Sequence, residues 1–274
     1  MQPFLSFLRH YGNQKNEKMK NIVYFIVVIS LLSHCKSTVN DNINPNLTQS
    51  NISKIITDGQ LENEFLYNNI GQLIEYRTYF DDGKSIWEST RYNWNDGVVS
   101  KIEFWTSFSL TSSASPKPGN PLRLESYQTQ EHDAQKRVIK TINYLAGYTE
   151  PRTYSTTSYD NKGRKIEIKT FTPDGKLSNI SKNFIYDNNN NLLLWETSHW
   201  EYNNNPSPFR NLPVYKDASW ISPFNVSSNF GRDNAGNKIN IWNYEYTYDP
   251  VTKFPKTMKT FIGTKPLHSS EFIY

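Results

Sequence analysis

Tyr159-Asp160-Asn161-Lys162-Gly163-Arg164-Lys165-Ile166 is the stretch that decides the fold. An aspartate that bonds its own backbone opens a tight turn. A glycine three residues later takes a left-handed conformation in which a Cβ would clash. Apolar residues then restart an extended segment. The same string stands at Tyr67-Asn68-Asn69-Ile70-Gly71-Gln72-Leu73-Ile74 and at Tyr186-Asp187-Asn188-Asn189-Asn190-Asn191-Leu192-Leu193, where Asn190 fills the glycine slot. His132-Asp133-Ala134-Gln135-Lys136-Arg137-Val138-Ile139 and Arg232-Asp233-Asn234-Ala235-Gly236-Asn237-Lys238-Ile239 are degenerate copies. Asp133, Asp160 and Asp187 are each 27 residues apart.

Secondary turns lie between the copies, at Asp81-Asp82-Gly83, Asn95-Asp96-Gly97 and Pro173-Asp174-Gly175-Lys176. Gly71, Gly83, Gly97, Gly163, Gly175 and Gly236 are therefore the expected turn glycines. Turns at this spacing imply strands of about 8–10 residues joined by hairpins. The segments between them alternate. Ile166 and Ile168 are expected on one face, with Lys165, Glu167 and Lys169 on the other. Trp242, Tyr244, Tyr246 and Tyr248 share a face opposite Asn243, Glu245 and Thr247, and that aromatic row is expected to be core. Period-2 alternation of this length predicts antiparallel strands with one face on a core. The composition agrees: 18 Tyr, 15 Phe and 7 Trp favour strands, and 32 Asn favour turns. The expected fold is all-β, an antiparallel meander of successive hairpins forming a twisted or curved sheet, open or partly closed.

These copies resemble the YD repeat of Rhs-like proteins and of many bacterial lipoproteins. The resemblance covers roughly residues 60–274, with a poor match at 107–130 and 200–230. Large Rhs proteins wind many such repeats into a closed shell around a toxin. This chain has too few copies for a shell of that size, and its last residues, Glu271-Phe272-Ile273-Tyr274, still read as a strand rather than as cargo. A weaker resemblance to MORN-variant repeats, around Gly71-Gln72-Leu73 and Asp82-Gly83-Lys84, implies the same meander.

Ahead of the repeats, Met19-Lys20 opens an apolar run from Ile22 to Leu32 that ends in Leu32-Ser33-His34-Cys35. Cys35 is the only cysteine. The run is too short for a transmembrane helix, which needs ~20 apolar residues, and has the length of a signal h-region. It resembles a bacterial lipoprotein signal peptide, with His34 departing from the small residue expected before the cut. The resemblance implies lipidation of Cys35 and a lipid anchor in the bacterial cell envelope, at the outer membrane. The alternative for Cys35 is a buried free thiol. Residues 1–18 do not suit a signal n-region and are expected to be a gene-model extension. Residues 35–58 then form a polar tether, and 59–274 the β domain. Pro-rich stretches at 112–123 and 203–213 are expected as long loops, the most plausible place for a binding site.

The formal net charge of +4 does not signal nucleic-acid binding. Arg9, Lys15, Lys18 and Lys20 against Glu17 account for most of it and leave residues 35–274 with one net positive charge. A phosphate-tracking surface needs clustered cations. His132, His199 and His268 have no metal-ligand spacing, and no nucleophile or phosphate-loop motif is present. Asp187-x-Asn189-x-Asn191 has the opening spacing of a calcium loop but lacks its glycine and distal glutamate, so a hairpin is expected there. No cofactor, metal or catalytic residue is expected. Trp87, Trp105, Trp195, Trp200 and Trp242 are candidates for stacking on a ligand, since flat rings bind sugars; the competing reading is cross-strand pairing or core. Three functions follow. The first is a non-enzymatic lipid-anchored scaffold or binding domain, with an envelope protein or polysaccharide as partner. The second is a carbohydrate-binding surface lipoprotein, and the third is a hydrolase with dispersed carboxylates.

Overall fold

The computed structural model describes residues 51–108, 117–210, 212 and 222–274. The leader, Cys35 and most of the expected tether lie outside the described residues. Among those described there are seventeen strands and no helix. They are β1 (Lys54–Thr57), β2 (Gln60–Tyr67), β3 (Leu73–Tyr79), β4 (Ile86–Asn95), β5 (Val98–Thr106) and β6 (Arg123–His132). Then come β7 (Val138–Leu145), β8 (Thr153–Tyr159), β9 (Lys165–Phe171), β10 (Leu177–Ser181), β11 (Phe184–Tyr186) and β12 (Leu192–Trp195). The last are β13 (Ser198–Pro206), β14 (Phe224–Arg232), β15 (Lys238–Tyr248), β16 (Pro255–Ile262) and β17 (Lys265–Ile273).

All neighbours pair antiparallel in one sheet, which is not closed into a barrel. From β2 to β10 each strand pairs with the next, and so do β11 to β17. The two runs are joined by β1, which pairs with β17 on one side and β2 on the other. The sheet therefore has its free edges at β10 and β11, which are separated in the chain only by Lys182 and Asn183. β10 pairs with β9, and β11 with β12. The expected tether boundary moves as a result. Ile52 and Ile55 are buried and β1 lies mid-sheet, so the β domain begins before residue 59.

One face is buried and the other is open to solvent. The buried face holds Ile52, Ile55, Phe65, Leu73, Tyr76, Tyr92, Val99, Ile102 and Phe272 as one apolar cluster. Leu192, Trp200 and Val226 form another. The connection after β13 folds across this face. Phe209 lies 6.3 Å from both the Phe65 and Phe272 rings, and Leu212 packs on the same cluster. Residues 203–206, expected in that loop, instead complete β13, and Asn203 donates from Nδ2 to the Tyr248 hydroxyl. On β6 to β9 the buried face turns polar. Gln128, Gln130, Thr141, Ser155 and Thr170 are buried there on cross-strand neighbours.

The turns have the expected local chemistry. The Asp160 carboxylate accepts the backbone N–H groups of Lys162 and Arg164 at 2.9 and 2.8 Å. Gly163 N–H donates to Asp160 O at 3.0 Å, with Gly163 at φ +77°. This is a type I turn followed by a left-handed residue, which forms a bulge. In the other copies Asn190 sits at φ +65° and Lys136 at φ +63° in the same slot. The bulge corrects the expected phase of β9. Tyr159 pairs with Lys165 and Ser158 with Glu167, so the register slips by one between them. Lys165 is buried, Ile166 points outward and Ile168 returns to the buried face.

Candidate functional site

A meander reverses at every hairpin, so alternate turns lie at opposite ends of the sheet. The Asn68, Asp96, Asp133, Asp160, Asp187 and Asp249 turns share one end, and the chain enters β1 there. The Asp82, Asp174 and Asp233 turns lie at the other. The copies spaced by 27 residues are thus stacked side by side, while the Asp233 copy is opposite them.

Side chains stitch these stacked hairpins together. Tyr159 donates its hydroxyl to Val138 O at 2.8 Å, Tyr186 to Lys165 O at 3.1 Å, and Trp94 donates from Nε1 to Leu73 O at 2.9 Å. Each partner lies 21 residues back. Arg137 binds the Asp133 carboxylate through Nε at 2.7 Å and lies over the Tyr159 ring at 4.7 Å. Arg164 repeats this on Asp160 at 2.7 Å and Tyr186 at 5.0 Å. Partial burial pushes the Asp133 and Asp160 carboxyls up, but hydrogen bonds and charge from Arg137 and Arg164 outweigh it and hold both below the ordinary carboxylate range. The Asp187 carboxylate accepts from Asn189 N, Asn191 N and Asn191 Nδ2, so its oxygens serve the turn.

The solvent face of β2 to β7 carries a continuous polar and aromatic row. Arg77 bridges Glu64 at 3.1 Å and Glu75 at 2.9 Å, and Arg91 lies 3.5 Å from Glu75. Arg91 also covers the Trp105 ring at 4.3 Å. Lys101 pairs with Glu103 at 2.7 Å and covers Tyr127 at 4.7 Å, and Tyr127 stacks on Tyr144 at 4.7 Å. Tyr154 and Phe171 stack at 4.8 Å further along this face. Burial raises the Glu75 carboxyl, but Arg77, Ser89 and Arg91 overcome it, and its net shift is downward.

The candidate tryptophans do not come together. Trp105 is on the solvent face, covered by Arg91. Trp87 stacks on Phe80 at 5.7 Å. Trp195 stacks on Phe184 at 5.9 Å beside the second core cluster. Trp200, expected as a stacking candidate, is buried within that cluster and presents no face to a ligand. Trp242 is half-buried, in a row whose neighbours Tyr244 and Tyr246 pack on the two core clusters. The turn glycines all have positive φ, from +62° at Gly83 to +85° at Gly236. Sequence reasoning missed the tyrosine and arginine stitches. Their signal was present: arginine closes two of the turns, and an aromatic stands 22 residues after each.

No family model matches the chain, and no curated protein matches it in sequence. Similarity to solved structures is found. A porin-like protein from Bacteroides uniformis has a TM-score of 0.48 at 13% identity, over 81% of this chain and 97% of that one. A porin-like protein from Bacteroides vulgatus has a TM-score of 0.38 at 13% identity, over 82% and 99%. A chain of the Photorhabdus luminescens Tc holotoxin pore has a TM-score of 0.24 at 13% identity, over 76% of this chain and 13% of that one. These are distant likenesses of architecture to an all-β antiparallel meander, and they assign no activity.

Proposed function

We propose that this chain is a protein of the bacterial cell envelope, lipid-anchored at Cys35 on the outer membrane, whose sheet is a non-catalytic scaffold presenting a binding surface. The observation that carries the scaffold reading is the use of its ionisable groups. Asp133 and Asp160 are each held by a turn cation, Glu64 and Glu75 by a cross-strand arginine, and Glu103 by Lys101 two residues along its own strand. Charges committed in this way hold hairpins together rather than activating a water or a nucleophile. The anchor reading rests on the apolar run Ile22–Leu32 ending at the sole cysteine.

The test is intact-mass analysis of the membrane fraction. The expected species starts at Cys35 and carries acyl mass, and Cys35→Ala should remain uncleaved and unacylated. A mature chain starting elsewhere would sink the anchor.

A carbohydrate partner is the second reading, favoured by the outward row of Trp105, Tyr127, Tyr144, Tyr154 and Phe171. It ranks below the first because each ring already has a face covered by another ring, by Arg91 or by Lys101. Retention on a polysaccharide array that is lost in Tyr144→Ala, with unchanged stability, would reverse the order.

A further inference from the structure

The seam between β10 and β11 is unequal along its length. At its Asp187 end, Tyr186 ties β11 to the start of β9 through Lys165 O. β12 and β13 meet at Trp195 and Ser198, level with Phe184, so their hairpin stops short of β10. Ser181 Oγ, donating to Glu196 Oε1 at 2.6 Å, marks where it stops. Beyond that point, among the described residues, no strand lies on the far side of β10, which pairs with β9 alone. Leu177, Ser178, Asn179 and Ile180 are all exposed. Side chains along a strand alternate between its faces, so four exposed in succession mean that both faces of β10 meet solvent as well as its edge. The main-chain N–H and C=O groups on that edge prescribe their own occupant, because an extended chain is what matches their alternation.

Proteins guard such edges with charge, proline, bulges or short strands. β10 has the last two: it is five residues long and is bulged at Ser178, since Leu177 faces Phe171 and Asn179 faces Thr170. It lacks the first two. Residues 177–181 hold no charge and no proline, and the flanking Lys176 and Lys182 are turned to Asp174 and Glu167 at 2.8 and 3.1 Å. The guards present limit length and leave the chemistry open. A ladder of this length, about 17 Å, falls well short of the roughly 20–30 residues a side that hold two folded proteins together, which argues against a second copy and for a short peptide. The register sets the pattern of that peptide. Leu177 pairs with Phe171 and Ile180 with Lys169, so both stand on the solvent face beside the Tyr154–Phe171 stack, at 50% and 39% exposure. Asn179 and Ser181 pair with Thr170 and Ile168 on the opposite face. Residues directly across a ladder share a face and pack. We infer that the open edge of β10 takes up a short extended segment of a partner protein as an added antiparallel strand, with apolar side chains against Leu177 and Ile180 and small polar ones beside Asn179. This rests on the scaffold reading above and locates its binding surface; it does not depend on the anchor.

The probe is a displayed library of random heptapeptides, selected on the full-length protein, with the recovered peptides then synthesised. Their sequences should alternate apolar and polar residues. Leu177→Lys and Ile180→Lys should each keep the melting temperature and weaken binding at least tenfold. Ile262→Lys should leave affinity unchanged, because Ile262 is as exposed, at 40%, but lies on β16 with a strand on either side. N-methylation of one alternate set of peptide amides should abolish binding and of the other set should be tolerated, since one set alone faces β10. Amide exchange at residues 177–180 should be fast in the free protein and slow when peptide binds. Failure to recover any peptide overturns the inference. So does slow exchange in the free protein: a dimer by sedimentation then means that a second copy holds the edge, and a monomer that the chain covers it itself. Peptides that ignore Leu177→Lys, Ile180→Lys and N-methylation defeat the edge and leave a binding scaffold with its surface elsewhere. Cleavage of a bound peptide, read by its mass, defeats the non-catalytic scaffold reading instead.

Discussion

Gly163 offers a direct test of what the repeat's glycine does. Its φ is +77°, and a Cβ built there meets nothing closer than Arg137 Nη1 at 4.0 Å. Space is therefore available, and the cost of a side chain is purely that of the left-handed backbone. For Ala this is about 1–2 kcal/mol. For Val, whose branched Cβ tolerates the conformation least, it is on the order of 1–3 kcal/mol and above Ala. Asn should cost least, because Asn190 already holds φ +65° in the equivalent turn and its side chain tolerates this region. Gly83 supplies the contrast. Its φ is +62°, but a Cβ there would come within 3.1 Å of Leu61 N, a backbone atom that cannot swing away. Gly83→Ala should thus cost more than Gly163→Ala at a similar backbone angle. Urea unfolding at constant m-value measures all four variants. If Gly163→Asn is as damaging as Gly163→Val, or Gly83→Ala no worse than Gly163→Ala, the separation of backbone strain from contact is wrong.

Lys136 occupies the same slot at φ +63°, so Lys136→Gly should raise stability by up to about 1 kcal/mol, less whatever its bond to Asp96 O contributes; a lower melting temperature would show that this bond dominates. Tyr159→Phe deletes the hydroxyl donated to Val138 O and should cost about 0.5–1.5 kcal/mol, with no change expected if water replaces the bond at no loss. Acid should unfold the domain through Asp133, Asp160, Glu75 and Glu103, whose folded carboxyls all lie below their ordinary values. A depressed folded pKa gives stability that is full above the unfolded values, near 4, and is lost as pH falls through that range. Urea midpoints that stay flat from pH 5 to pH 3 would contradict this.

The turns were legible because their causes are local. Asp160, Gly163 and the residues between them meet within five positions, and the physics of the turn acts on those positions alone. Strand phase was less legible because it depends on the bulge that the turn creates. Strict alternation put Ile166 beside Ile168, whereas the slip between Ser158 and Tyr159 turned Ile166 outward and buried Lys165. The place of β1 was not legible at all. Ile52 and Ile55 sit in a polar stretch, and their burial depends on β17, more than two hundred residues away. Trp200 illustrates the same limit for the candidate site. Its residue type admits both a ligand platform and a core, and only the packing of Leu192 and Val226 decides for the core.

The seam between β10 and β11 shows why the repeat carries its tyrosine. Elsewhere a backbone ladder and the tyrosine bond join neighbouring hairpins together, so the contribution of the side chain is masked. Here the strand is interrupted at Lys182–Asn183, and β11 pairs with β12 rather than β9. Tyr186 nevertheless reaches Lys165 O at the start of β9, as Tyr159 reaches Val138 O, and Arg164 lies on its ring. Ser181 Oγ donates to Glu196 at 2.6 Å across the same gap. The turn end of the seam is therefore held by side chains where main-chain pairing is missing. A repeat whose neighbours are joined by an aromatic hydroxyl and a guanidinium can lose ladder bonds without parting. The copies differ in the slots around these links: Asn190 and Lys136 stand where Gly163 does, and Asn191, bonded through Nδ2 to Asp187, stands where Arg164 does.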